Sequence, residues 1–113
     1  MPVNLNNKKF CSVANTENGD VDEQTIFQYS QQGDIVWASY SGGSVLYGNL
    51  LAHWIKDDLL EMRYQHLSTE HEFKTGQCFS RPEILANGKI RMHESWQWTS
   101  GDQTKGTSII EEV

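Results

Sequence analysis

Apolar and polar side chains alternate one by one through two long stretches of this chain. Over 59–67, Leu60, Met62, Tyr64 and His66 share one face, and Glu61, Arg63 and Gln65 share the other. Over 89–99, Ile90, Met92, Glu94, Trp96 and Trp98 oppose Lys89, Arg91, His93, Ser95 and Gln97. A period of two marks a strand with one wet face. Shorter strand-like runs lie at 9–16, 24–31, 35–40, 44–55 and 105–113. Phe27 and Tyr29 share a face of the second run; Val45 and Tyr47 share a face of the fourth, which also holds Gly48. A glycine inside a strand often marks a bulge or a barrel corner. The run 72–80 reads either way, with Phe73, Thr75, Gln77 and Phe79 inward or with Lys74, Gly76, Cys78 and Ser80 inward. Pro82 follows; it has no N–H for a ladder, so pairing is expected to weaken there.

Seven turn signals separate these eight runs. They are Asn18-Gly19-Asp20, Gln32-Gly33-Asp34, Ser41-Gly42-Gly43, Lys56-Asp57-Asp58, Thr69-Glu70-His71, Asn87-Gly88 and Ser100-Gly101-Asp102. Glycine takes positive φ at no steric cost, and Asn and Asp tolerate it. The spacing predicts an all-β fold, an eight-stranded antiparallel up-and-down β-barrel. A two-sheet sandwich of the same strands is the alternative. Residues 50–60 have partly helical spacing, but the Lys56-Asp57-Asp58 break favours a hairpin. In a closed meander the eighth strand pairs with the first and removes both edges. The whole of 1–113 reads as one domain, with a polar, frayed start over 1–8.

Composition narrows the function classes. The net charge is −6 and the only adjacent basic pair is Lys8-Lys9, so nucleic acid is not an expected partner. No run approaches a membrane span, and the first nine residues lack an apolar signal region. Cys11 and Cys78 lie in no paired motif, which fits reduced thiols in the cytoplasm. Four residues each of Trp, Tyr and Phe supply bulk for a core or a pocket wall.

Glu94 carries the most chemical information, because it sits between Met92 and Trp96 on an apolar face. A carboxylate inside a barrel is costly unless paired, hydrogen-bonded or protonated. It is a candidate ligand anchor or a general base; the plainer reading is a structural hydrogen bond or a wet position at the mouth. Tyr64 and His66 share the inward face of the fifth strand, and Trp96 and Trp98 offer an aromatic wall. The candidate ligand-binding residues are therefore Met62, Tyr64, His66, Met92, Glu94, Trp96 and Trp98. The histidines lack metal-ligand spacing, and no nucleophile elbow or phosphate-binding loop occurs. No metal and no cofactor are expected.

Several stretches resemble a family of small uncharacterised bacterial proteins. They include Val36-Trp37-Ala38, Tyr40-Ser41-Gly42-Gly43, Met62-Arg63-Tyr64-Gln65-His66, Thr75-Gly76, Pro82-Glu83-Ile84-Leu85 and Asn87-Gly88-Lys89-Ile90-Arg91. The most specific is His93-Glu94, running through Trp96-Gln97-Trp98-Thr99-Ser100-Gly101-Asp102 to Lys105-Gly106-Thr107-Ser108-Ile109-Ile110-Glu111-Glu112. Some members are labelled N-acetylglutamate synthase. Such acetyltransferases hold coenzyme A at a glycine-rich turn opening a helix, and this sequence offers neither feature. The layout is similar to avidin-like or calycin-type barrels, which implies ligand binding at one open end. The expected function is small-molecule binding in the cytoplasm. The alternatives are an enzyme using Glu94 and His66 as acid and base, or a self-associating protein such as a homodimer.

Overall fold

A computed structural model describes residues 3–16 and 19–113. It contains eight strands: β1 (Lys8–Asn15), β2 (Ile26–Gln32), β3 (Ile35–Gly42), β4 (Val45–Lys56), β5 (Leu59–Ser68), β6 (Phe73–Ile84), β7 (Ile90–Trp98) and β8 (Lys105–Glu112). Each pairs antiparallel with the next, and β8 returns to β1, with Cys11 opposite Glu111. The sheet is thus a closed barrel rather than a sandwich. Of the seven turns, Asn18 lies outside the described residues, as do Met1 and Pro2 of the expected frayed start.

The alternation read from the sequence sets the inside of the wall. Leu60, Met62 and His66 of β5 are buried, as are Ile90, Met92, Trp96 and Trp98 of β7. Residues 50–60 form the β4–β5 hairpin, in which Trp54 faces Leu60. In β4 the register shifts between Val45 and Tyr47. That irregularity turns Val45 inward and leaves Tyr47 exposed, so the expected shared face is broken. The inward set then continues through Gly48, Leu50, Ala52 and Trp54.

Strand β6 resolves the open choice of face. Gly76, Cys78 and Ser80 point inward, while Phe73 is 80% exposed. The strand also runs through Pro82 to Ile84, where weaker pairing was expected. Pairing with β5 ends at Leu60 opposite Ser80, whereas β7 stays paired as far as Ile84. Proline is tolerated where its missing N–H can face away from the only ladder present.

Among the described residues, the segment from residue 5 onward is docked on the barrel. Leu5 is fully buried and closes one end of the barrel. Its amide donates to Gln31 Oε1 at 3.0 Å, and the Asn7 amide donates to the Tyr29 carbonyl at 3.1 Å. Leu5 packs with Phe10, Tyr29, Val36, Leu60, Met92 and Ile110 in the core. The opposite end, where β1 meets β2 and β5 meets β6, holds the polar cluster described next.

Candidate functional site

Three inward glycines shape the interior. Each lies under an aromatic ring from a neighbouring strand. A Cβ at Gly48 would strike the ring of Tyr40, one at Gly76 the ring of Tyr64, and one at Gly106 the ring of Trp96. Gly76 sits between Tyr64 on β5 and Trp98 on β7. Missing side chains here let large rings lie flat along the wall instead of filling the lumen. Gly76→Ala is therefore expected to push Tyr64 into the interior and cost about 1–3 kcal/mol. A thermal melt, with tryptophan fluorescence as a local reporter, measures both effects.

The rings form a connected wall. Trp96 and Trp98 lie with centroids 5.5 Å apart, and Trp98 meets Tyr64 edge-on at 5.9 Å. Tyr40 stacks on Phe27 at 4.9 Å. They border an interior cavity of about 50 Å³, counted as room for the centres of water-sized spheres. Met62, His66, Cys78, Glu94 and Ser108 complete much of its lining, together with Gly19, Asp20 and Val21 from the β1–β2 connection. A larger hollow of about 740 Å³ lies on the outer wall around Phe79, Arg81, His93 and Ile109. It also touches Glu94 and Ser108 but is more open to solvent than the cavity, so the interior is the better candidate site.

Glu94 is held at the cavity by two hydroxyls. Ser80 Oγ donates to its Oε2 at 2.7 Å, and Ser108 Oγ donates to its Oε1 at 3.1 Å. Some of its surface remains reachable by water, although protein encloses the carboxyl group. Burial pushes its pKa above the usual carboxylate value, and the two serine hydrogen bonds oppose that rise. Burial also raises Tyr64 and Cys78, with the Glu94 charge adding to both. Tyr29 Oη is buried and has no hydrogen-bond partner among the described residues, and its pKa rises for the same two reasons.

His66 belongs to a different cluster, at the barrel mouth. Its Nε2 lies 3.0 Å from Asp20 Oδ2, and its Nδ1 lies 3.0 Å from Tyr40 Oη. Lys74 Nζ reaches both Asp20 oxygens, at 3.1 and 3.0 Å. Lys74 also stands 5.5 Å from the Trp98 ring centroid. The His66 hydrogen bond, aided by Lys74, holds Asp20 below the usual carboxylate range despite partial burial. An ionised carboxylate only accepts, so His66 Nε2 carries a proton. Asn15 Nδ2 steadies the same connection by donating to the Val21 carbonyl at 2.8 Å.

Six of the seven expected site residues, Met62, Tyr64, His66, Glu94, Trp96 and Trp98, line this cavity. Met92 does not; it is fully buried one inward step further from the mouth, opposite Ile110. Glu94 and His66 line the same space but share no hydrogen bond. Sequence reading missed Asp20, Tyr40, Ser80 and Ser108. The mid-strand glycines and the inward serine of β8 were the available signals; Asp20 gave none, being one more turn residue.

A closed antiparallel barrel with a carboxylate and an aromatic wall at one end defines the class of protein: a β-barrel built around an interior pocket. The chain belongs to the avidin-like protein family, whose model matches residues 3–113. No curated protein and no solved structure gives a significant match.

Proposed function

We propose that this protein binds a small molecule in the cavity between Glu94 and the β1–β2 connection. One observation carries the reading: a carboxylate enclosed by protein and a wall of aromatic rings converge on one interior cavity. Avidin-like proteins bind small ligands, biotin among them, and that supports it. Drug-sized ligands fill pockets of about 300–1,000 Å³. The cavity is far smaller, so a ligand of that size requires residues 19–21 to move aside. Binding fits the geometry better than acid–base catalysis, because both groups of the imagined pair are engaged elsewhere. His66 is held by Asp20 and Tyr40, and Glu94 by two serines. The two thiols support a reducing, cytoplasmic setting, since Cys11 and the inward-facing Cys78 are unpaired.

Native mass spectrometry of protein purified from its own host tests the proposal. A retained small molecule, lost in Glu94→Gln, is the expected result; ligand retained undiminished by that variant removes Glu94 from the site. Glu94→Gln is also expected to keep the fold and to melt at the same or a higher temperature near neutral pH. The sign follows from the raised pKa. Above that pKa the folded state bears the full cost of a buried charge, and the cost fades as pH falls toward the unfolded value. The advantage of Gln should therefore shrink as the solution is acidified. A purely structural Glu94 gives the reverse, a lower melting temperature at neutral pH.

The outer wall favours a second, compatible reading, self-association into a homodimer. Ile35, Trp37, Leu51 and Ile55 are exposed on β3 and β4, with Trp37 directly opposite Leu51. Contiguous apolar side chains of this kind mark interaction surfaces. Leu51→Glu should shift any oligomer to monomer in sedimentation.

A further inference from the structure

We propose that the cavity is selective for a small organic cation of the ammonium or amidinium type; this rests on the binding reading above. The two acidic groups at the cavity are treated differently by the fold. Asp20, at the mouth, is matched by His66 and Lys74. Glu94, inside, is bonded among the described residues to the neutral hydroxyls of Ser80 and Ser108 alone. Among the described residues that line the cavity there is no Lys or Arg. His66 offers no free ring nitrogen, since both face partners.

A buried carboxylate without a counter-ion is costly, and a ligand that brings the missing positive charge removes that cost. Each Glu94 oxygen has a lone pair left after its serine contact, so a ligand N–H can still be accepted. The surrounding rings favour the same charge. Trp96 and Tyr64 line the cavity, and aromatic rings attract cations, as Trp98 already does for Lys74 at 5.5 Å. An anionic ligand finds the opposite conditions, a carboxylate and no unpaired basic side chain. Size sets the scale. A cavity of about 50 Å³ suits a compact ligand of few atoms.

Three compounds of nearly one shape and different charge separate the possibilities: acetamidinium, acetamide and acetate, each with four non-hydrogen atoms. Titration is followed by the indole N–H signals of Trp96 and Trp98 in NMR spectra, at constant chloride concentration and in the millimolar range expected of such small ligands. Acetamidinium should shift both signals saturably and bind at least about tenfold more tightly than acetamide, with acetate weakest. Glu94→Gln should erase the preference while leaving the spectrum that of a folded protein. Because Gln could disturb the serine contacts, Glu94→Asp serves as a second variant and should retain the preference at reduced affinity. Acetamide binding as tightly as acetamidinium overturns the cation assignment and leaves the cavity reading standing. So does a cation preference that survives Glu94→Gln. Failure of all three compounds to move either signal also overturns it, and the retained-ligand measurement then decides the cavity reading separately.

Discussion

Deleting residues 107–113 is expected to abolish cooperative folding. The segment includes most of β8, which pairs with both β7 and β1. Its loss exposes two sheet edges at once. It also removes Ile110, which is fully buried in the core, and Ser108, one of the two Glu94 partners. A small domain has about 5–15 kcal/mol of stability in total. Opening the barrel should exceed the cost of any single core substitution, more than about 4–5 kcal/mol. Circular dichroism should show no sharp melting transition, and gel filtration should show aggregation through the free edges. A truncated chain that stays monomeric with an unchanged melting temperature would mean that β8 is dispensable.

Trp96→Ala is expected to destabilise the protein by about 3–5 kcal/mol. The indole is buried, tilts against Trp98 and lies over Gly106, so nothing nearby can collapse into the space it leaves. The melting temperature should fall by roughly 10–20 °C. Gln97→Ala, one residue along the same strand, should stay within about 0.5 kcal/mol of the parent. Gln97 faces out and its amide reaches only the Gln103 carbonyl, at 3.3 Å. Reversed effects would mean that β7 presents its other face to the core.

These contrasts show where the sequence is readable. In β5 and β7 one face is apolar and the other charged, so burial has a single solution and the strands can be oriented on sight. In β6 both faces offer apolar groups. The structure spends Phe73 and Phe79 on the outside and places glycine, cysteine and serine within, because the ring of Tyr64 already covers the wall at Gly76 and Trp96 stands opposite Cys78. Choosing that face requires knowing what the neighbouring strands contribute. The register shift near Tyr47 defeats alternation for a local reason, since one irregular step flips every later side chain. The site divides in the same way. Glu94 stands out because it violates its own strand's pattern. Asp20 becomes informative only when the turn that carries it meets His66 and Lys74, which are 46 and 54 residues away.

The contact between Asp20 and those two partners has a kinetic consequence. While it holds, residues 19–21 line the cavity and narrow its entrance, so a ligand larger than the cavity enters only when the contact breaks. Association with such a ligand would then stop rising with concentration, levelling off at the frequency of opening. Departure meets the same barrier. A compound of modest affinity would therefore stay bound for longer than its Kd alone implies, and the time would be set by an aspartate that contributes little to the affinity itself.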